Sequence, residues 1–306
     1  MANADIQIYP TIPARRTELA GFKFREDVLC SDAKGREKSK LRKLASEALE
    51  DLGDVLRRVL EPDETIFYIA PTQAMPGALA QFFGGGWHMY SIPRTLFFLT
   101  DRRIIALRLR KRMSGWEWNR GIQTVRWGDI ASAVGGGFLS RNLTLKFRNG
   151  EARKYWRFGW GYLKKVRQVI DALRAHVTGE TAAAGGMVSL CPNCLAVLAT
   201  RNYKCQSCGV QFKDEKTLLK RALVIPGGAS LYVGANVLGV LRGVFEAIIT
   251  LSILVSLIGL IGAPRGSAAE NALATSIVVE CGILLVDKLL AYYLALPQVR
   301  DFIPVD

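Results

Sequence analysis

The stretch Phe97-Phe98-Leu99-Thr100-Asp101-Arg102-Arg103-Ile104-Ile105 decides the fold of the first half of the chain, because two apolar runs flank a short polar turn. That order is typical of two antiparallel strands joined by a tight reversal. Asn149-Gly150 indicates a second reversal, because both residues tolerate the positive φ angles of a two-residue hairpin turn. Working outward from these turns, we predict six strands, at residues 65–70, 94–100, 103–110, 124–134, 142–148 and 151–158.

Two amphipathic helices are predicted on either side of the strands. Residues 163–177 form one of them, which caps the sheet or barrel. In residues 37–60, apolar side chains recur every three or four positions, as in a helix with one apolar seam. This seam has two interpretations: it packs on the domain that follows, or it forms a short coiled coil that makes the protein a homodimer. The seam residues are Leu41, Ala45, Ala48, Leu52, Val55 and Val59.

Three motifs together carry a family resemblance. The run 97–105 is followed by Val125-Arg126-Trp127-Gly128-Asp129-Ile130, by the alternating run 143–150 and by the terminal helix. In this order they resemble the bacterial pleckstrin-homology-like (PH-like, GRAM-like) domain family over residues 61–178. The resemblance implies a mainly-β bent antiparallel barrel with a C-terminal capping helix. It also implies no shared catalytic residues, and lipids or proteins as ligands.

Composition excludes several classes of protein. A chain of 306 residues exceeds the usual size of one hydrophobic core, so more than one folded unit is expected. It is 50% hydrophobic and 22% charged, which fits neither a disordered chain nor a uniformly apolar membrane protein. The net charge is +14, of which residues 1–186 carry +12, and this favours anionic partners such as phospholipid headgroups or nucleic acid. Residues 1–23 lack the apolar core of a secretory signal, so we expect the first half in the cytosol.

The strongest chemical motif is C-x2-C-x10-C-x2-C, formed by Cys191, Cys194, Cys205 and Cys208. Four thiolates on two tight turns can surround one Zn²⁺ ion tetrahedrally. A redox role is the alternative, but the repeated pair and the lack of a βαβ pattern favour structural zinc. The segment resembles the zinc-ribbon family over residues 189–213, with Gly209 at a turn position and Tyr203 and Phe212 as a small apolar core. A closed four-cysteine site leaves no coordination position for catalysis.

The last part of the chain is predicted to be an α-helical transmembrane region. Residues 247–264 form an uncharged run of membrane-spanning length. Residues 222–241 are interrupted by Pro and Gly, so they are interpreted as re-entrant, interfacial or a short span. A further candidate span, residues 272–296, contains charged residues that are expensive in lipid, and these should face protein or lie near an interface. They are Glu280, Asp287 and Lys288.

Charges next to the apolar runs predict pairing and orientation. Arg242 and Glu246 are four residues apart on one helix and are expected to pair with each other. Basic residues before a span favour the cytoplasmic side, which puts the zinc ribbon in the cytosol; they are Lys213, Lys216, Lys220 and Arg221. Residues 225–234 resemble the start of small TM2-like membrane modules. The resemblance to bacterial modules implies the inner (cytoplasmic) membrane, with residues 1–216 cytosolic.

The predicted organisation is therefore multidomain. An N-terminal arm and amphipathic helix precede the PH-like domain, and a linker leads to the zinc ribbon and the membrane region, which has two or three helical segments. The corresponding ranges are 1–60, 61–178, 179–188, 189–216 and 217–306.

Two surfaces of the first half are candidate binding sites. Alternation along one strand puts Arg108, Arg110 and Arg112 on its polar face, and Lys146 and Arg148 alternate in the same way on a second strand. If the strands are neighbours, they form a basic patch for lipid headgroups or an acidic partner; the alternative is an ordinary solvated face. Aromatic residues of a Gly-rich loop either enter the membrane interface or fold back over the barrel end; they are Phe82, Phe83, Trp87 and Tyr90.

Function is predicted by the order of the modules and not by a catalytic motif. The sequence lacks a phosphate-binding loop, a nucleophile elbow and an HExxH helix, so we do not expect an enzyme. The leading hypothesis is a membrane-anchored binding or scaffold protein whose cytosolic modules recognise lipid headgroups or a protein partner. The alternatives are a membrane-tethered nucleic-acid-binding or regulatory protein, and a subunit of an envelope transport or assembly complex that uses the charges of residues 272–296.

Overall fold

The computed structural model describes residues 6–9, 12–19, 21–75, 92–110, 116–136, 142–156, 158, 162–176 and 185–305. Its contacts divide the chain into two compact units, which we name by their secondary structure. The sheet unit comprises residues 1–75 and 92–210, and the helical unit comprises residues 76–91 and 211–306. All strands of the described residues lie in the sheet unit.

The sheet unit is built on one ten-stranded sheet, in the order β10-β6-β5-β4-β3-β9-β8-β7, with the β1–β2 hairpin beside β3. Every pair is antiparallel except β2–β3. Among the described strands the two ends of this path, β10 and β7, do not pair, so the barrel is not closed. The strands are β1 (Arg16–Leu19), β2 (Phe22–Arg25), β3 (Ile66–Ala74), β4 (Arg94–Thr100), β5 (Arg103–Arg110), β6 (Glu117–Arg126), β7 (Ile130–Gly136), β8 (Asn142–Phe147), β9 (Ala152–Trp156) and β10 (Val188–Leu190).

The reversal predicted at Thr100–Arg102 is confirmed, and its polar residues hold the turn in place. The hydroxyl of Thr100 donates to the buried carboxylate of Glu64 at 2.6 Å, and Arg103 donates to the same carboxylate from Nη2 at 2.8 Å. Asp101 accepts the backbone N–H of Thr65 at 3.0 Å, and Trp127 donates its indole N–H to the carbonyl of Thr100. The polar turn is therefore anchored to β3 and to the segment after β6.

The two faces of the sheet are covered by different parts of the unit. Helix α2 (Ser39–Val59) buries its apolar seam against one face, where Leu96, Phe98, Ile105 and Leu107 lie. The seam therefore packs on the following sheet, and the coiled-coil homodimer stays a prediction. On the other face the core joins alternate residues of the same strands to helix α3 (Tyr162–His176). Because both faces are buried, residues 104–107 of β5 form a continuous apolar run.

Two sequence predictions about turns were wrong in detail. Residues 124–134 are not one strand: β6 ends at Arg126, a 3₁₀ turn follows at Trp127–Asp129, and β7 begins at Ile130. Burial of the Trp127 ring and its bond to Thr100 override the strand propensity of the segment. The Asn149–Gly150 hairpin forms, but only Gly150 of the two has a positive φ, so the turn is the three-residue type with glycine in the left-handed position.

The N-terminal segment is tied into the sheet unit by buried polar contacts. Arg25 donates to both carboxylate oxygens of Asp27 and to the carbonyl of Ile6. The ammonium of Lys165, on α3, is fully buried against the hydroxyls of Tyr9 and Ser31. A short helix, α1 (Glu26–Leu29), connects these residues. The predicted N-terminal arm thus has fixed partners at its described residues.

The helical unit contains four helices over its described residues 211–305. They are α4 (Glu215–Val224), α5 (Gly228–Tyr232), α6 (Asn236–Gly262) and α7 (Ala268–Arg300). At 27 residues, α6 is about 40 Å long, which exceeds the hydrocarbon thickness of a bilayer. It is the helix, among the described residues, that is long and apolar enough to cross a membrane, and little of it is buried.

The ends of the helical unit are joined at one side. After α7, residues 303–305 pair with the segment that follows the cysteines: Lys213 donates its N–H to Ile303, and Val305 donates to Gln211. The rings of Phe212 and Phe302 pack edge to face at 5.5 Å. Both chain ends of the helical unit therefore lie at the same end of α7.

Candidate functional site

The four cysteines of the predicted motif come together as one cluster. All their Sγ atoms lie within 4.8 Å of one another, and the pairs Cys191–Cys208 and Cys194–Cys205 are 3.5 Å apart. Four sulfurs at about 2.3 Å from a tetrahedral zinc ion would be about 3.8 Å apart, so the cluster matches the size of such a site. The donor set of four thiolates fits Zn²⁺. Four protein ligands would fill the tetrahedral coordination of the ion and leave no position for a substrate.

Two equivalent backbone turns present the thiols. In the first, Leu195 donates its N–H to Cys191 and Cys191 donates to Ala196; in the second, Gly209 donates to Cys205 and Cys205 donates to Val210. Leu195 and Gly209 occupy the same place in the two turns, and both have a positive φ. The positive φ predicted at Gly209 is confirmed. At Leu195 the same conformation carries the strain of a non-glycine residue in the left-handed region.

The thiols differ in acidity before any metal binds. Burial raises the pKa of Cys191 to about 12. By contrast, the backbone N–H of Val210 donates to the sulfur of Cys208 and lowers its pKa to about 6. Because metal ligation requires thiolates, binding of a divalent cation at neutral pH would release the proton held by Cys191.

The cysteine turns are docked on the sheet by contacts within the sheet unit. Strand β10 pairs with β6, which places Leu190 opposite Ile122. Leu190 and Leu195 pack against the core under α2. The expectation that Phe212 belongs to a separate ribbon core is wrong, because its ring packs on Phe302 in the helical unit.

Arg58 is a positioning residue that the sequence analysis missed. Near the end of α2 it donates to the carbonyls of Pro192 and Asn193, at 2.9 and 2.5 Å, inside the first cysteine turn. These partners lie more than 130 positions later in the chain, and no motif links them. A basic residue in the last turn of a helix is common for other reasons, so the sequence contained no usable signal.

The predicted basic residues are not brought together. Strand β5, with Arg108, is separated from β8, with Lys146, by β4, β3 and β9, so the expectation that the two strands are neighbours is wrong. Arg108 is 6% exposed and lies against Gly121, where the β5–β6 register shifts. Lys146 and Arg148 are exposed. The side chain of Arg110, Arg112 and the aromatic residues Phe82, Phe83, Trp87 and Tyr90 lie outside the described residues.

The charged residues of the helical unit pair across helices and not along one helix. Arg242 donates to Asp287 at 2.8 Å, and Lys288 donates to Glu246 at 2.7 Å. The expected pairing of Arg242 with Glu246 is therefore wrong: the antiparallel α7 offers each of them an opposite charge. Farther along, the hydroxyls of Ser252 and Ser276 donate to Glu280. We name the two ion pairs the charged layer.

Comparison with known proteins adds no identity. No protein-family model matches the chain, and no curated protein matches it significantly. The PH-like, zinc-ribbon and TM2-like resemblances rest on the motifs quoted above.

Proposed function

We propose that the protein is a membrane-anchored, non-enzymatic binding or scaffold protein with a PH-like domain and a structural zinc ribbon. The observation that carries the proposal is the α6–α7 hairpin. Its exposed surface is apolar, while its ionised side chains near one end are paired with one another. Lipid is the solvent that suits such a surface, because it accepts exposed leucine and valine but penalises unpaired charge.

In this proposal α7 is the second membrane span, although its sequence is not apolar enough to identify it as one by composition alone. Contacts of α7 with α6 run from Asp287 at Arg242, through Glu280 at Ser252, to Leu273 near Gly259. An antiparallel hairpin with this register crosses the bilayer twice. The charged layer then lies at the end where both chain termini of the helical unit meet, and residues 211–215 leave on the same side as residues 303–305.

The topology of the sheet unit supports a PH-like domain. Strands β3–β6 form a four-stranded meander, and β7–β9 form a three-stranded one joined to it through the β3–β9 pair. Helix α3 follows and packs against the core between them. The mainly antiparallel sheet and the helix that follows it support the proposal of a PH-like domain, whereas the edge between β7 and β10 is open.

Zinc has a structural role in the proposal. The site offers four thiol ligands, and its first turn is held by β6, by the core under α2 and by Arg58. When bound, the metal supplies a crosslink between the two turns. It thus stabilises the edge of the sheet to which β10 belongs.

Ligand recognition by the sheet unit is assigned to exposed basic side chains, of which Lys146 and Arg148 are the described examples. Lipid headgroups or an acidic protein partner in the cytosol of a bacterial cell are the proposed ligands. The transport-complex alternative has less support, because Asp287 and Lys288 already have partners in the same chain.

The proposal is tested on the full chain expressed with its membranes. We expect it to remain in the membrane pellet after an alkaline carbonate wash. We also expect Val305→Cys to be labelled by a membrane-impermeant maleimide only when the cytosolic side of the membrane is accessible. A tag on residue 1 should become accessible under the same condition. Release by carbonate would overturn the anchoring, and labelling of position 305 from the opposite side would overturn the hairpin. Salt-sensitive retention of DNA, lost in Lys146→Ser/Arg148→Ser, would instead favour the nucleic-acid alternative.

A further inference from the structure

The segment from α4 to α5, residues 215–232, is a shoulder beside the membrane hairpin, and one side of it is unusually apolar. Leu218 and Ala222 are buried, and α4 packs on α7 through this face. The solvent-exposed side of the segment carries five large apolar side chains, from 38% of the surface of Leu231 to 69% of that of Val224. The other three are Leu219, Leu223 and Ile225. We name this side the shoulder surface.

The shoulder surface lies at the level of the charged layer. Lys288 donates both to Glu246 in that layer, at 2.7 Å, and to the carbonyl of Ala222 near the end of α4, at 3.3 Å. The turn after α4 touches α6 directly, since a Cβ atom at Gly227 would overlap the carbonyl oxygen of Gly239. The apolar residues 223–225 are thus fixed where the apolar stretch of α6 begins.

Basic side chains share the shoulder surface with these apolar residues. Lys216 and Lys220 are four residues apart and exposed, on the same face as Leu219 and Leu223. Neither lysine has an acidic partner among the described residues. Arg221 is also exposed, and its guanidinium lies 5.0 Å from the ring centre of Tyr232. Exposed leucines interspersed with basic side chains are typical of a segment that lies in the headgroup zone, because the charged ends reach the phosphates while the apolar atoms stay in the interface.

We propose that the shoulder surface binds the anionic phospholipids of the leaflet that it faces. Leu219, Leu223, Val224 and Ile225 enter the interfacial zone, and Lys216 and Lys220 bind lipid phosphates. The occupant is a lipid surface and not a protein, because the exposed apolar side chains continue onto α6 at Val237, Val240 and Val244, where lipid is the surrounding solvent. This inference rests on the proposed membrane anchoring. It adds a lipid-binding site that does not depend on the sheet unit.

The charge requirement is tested on the purified full chain in mild detergent. The chain is mixed with equal amounts of phosphatidylglycerol and phosphatidylcholine, and retained lipid is counted by native mass spectrometry. We expect phosphatidylglycerol to be preferred. We expect Lys216→Ser/Lys220→Ser to lower the preference for phosphatidylglycerol about tenfold. Each basic residue beside an anionic leaflet raises the affinity for that leaflet severalfold. The matched control Lys40→Ser/Lys43→Ser removes the same charge from exposed positions on α2 and should change nothing.

Three results of that experiment would overturn the inference: no preference for phosphatidylglycerol, an equal loss in the α2 control, or displacement of the lipid by millimolar inorganic phosphate. The last would mean that the lysines bind a free anion. Loss in Lys146→Ser/Arg148→Ser alone would move lipid recognition to the sheet unit and would also overturn it.

The insertion of the shoulder surface into the bilayer is tested by tryptophan fluorescence in nanodiscs that contain dibrominated phosphatidylglycerol. Leu223→Trp should add emission that the brominated lipid quenches, whereas Val197→Trp, at an exposed apolar position beside the cysteines, should be quenched by aqueous iodide instead. Iodide quenching at position 223 would overturn the inference. If the chain is released by carbonate, the anchoring itself fails; if it is retained but shows no lipid preference, only the shoulder proposal fails.

Discussion

Leucine, isoleucine and valine meet opposite surroundings in the two units. In the sheet unit, Leu52 and Ile105 are almost fully buried, whereas in the helical unit Leu251 and Ile258 are 62% and 72% exposed. The sheet unit buries its apolar surface with its own chain, as water demands. The α6–α7 hairpin of the helical unit leaves the same chemistry outside and pairs the charges of its charged layer between the two helices. The comparison supports the proposal that the helical unit is suited to lipid and the sheet unit to water.

The largest expected effect tests how far the sheet unit depends on the zinc ion proposed for the cysteine cluster. Cys205→Ser should abolish zinc binding, and the loss removes a large part of the roughly 10 to 16 kcal/mol that structural zinc contributes in small domains. We expect fast hydrogen exchange in β10 and along its partner edge of β6. Zinc content by elemental analysis and exchange by mass spectrometry check this. The control Cys281→Ser, at an exposed position on α7, should keep its zinc; unchanged exchange in β10 after zinc loss would contradict the structural role.

The next effect tests the inward charges of the helical unit. Glu246→Gln leaves the ammonium of Lys288 without its counter-charge in a site where Glu246 is buried, which should destabilise the unit by about 3 to 5 kcal/mol. Unfolding of the full chain in detergent measures this. The double variant Glu246→Gln/Lys288→Met removes both charges and should recover most of the loss. Equal destabilisation in the two variants would show that the pair itself is not responsible.

A matched pair of leucine substitutions compares the stability cost of the same change in the two units. Leu52→Ala removes side-chain atoms from the core under α2 and should cost about 2 to 5 kcal/mol. Leu254→Ala removes the same atoms from an exposed position on α6 and should change stability by less than about 0.5 kcal/mol. Chemical unfolding followed separately for each unit provides the measurement. Similar losses at both positions would mean that α6 is covered by protein and not by lipid.

The last prediction concerns an ionisable group that the sheet unit does bury. Burial lowers the pKa of Lys165 to about 7, from 10.5 in an unfolded chain. Between those values the unfolded chain holds a proton that the folded chain has lost, so stability rises with pH, by at most about 1.4 kcal/mol per unit. Below pH 7 both states are protonated and the full penalty is present. Lys165→Met should be more stable at pH 7 and should flatten the rise between pH 7 and 10, as urea unfolding at a series of pH values would reveal.

Local sequence patterns predicted the features that depend on interactions between nearby positions in the chain. The strands at residues 94–100 and 103–110, the turn between them and the helix around residues 39–59 follow from alternation, turn chemistry and helical periodicity. The cysteine cluster follows from the spacing of two tight turns. Each of these features is decided by residues within about twenty positions of one another.

Long-range contacts decided the rest. Arg108 alternates like a surface residue, yet it is buried, because its neighbour across the register shift is Gly121. Residues 124–134 have strand propensity throughout, yet the indole of Trp127 reaches Thr100 and breaks the strand. No periodicity encodes either partner, since each lies more than ten positions away along the chain.

The sequence by itself determined which residues could be strands, helices, thiolate ligands and membrane-length apolar runs, because those properties depend on the chemistry of neighbouring positions. Only the tertiary structure decided that Arg242 pairs with Asp287 and not with Glu246, and that Arg58 holds the turn at Pro192. The physical reason is that charges and hydrogen-bond donors act across space. The competing partner four residues away therefore loses to one that the fold places closer.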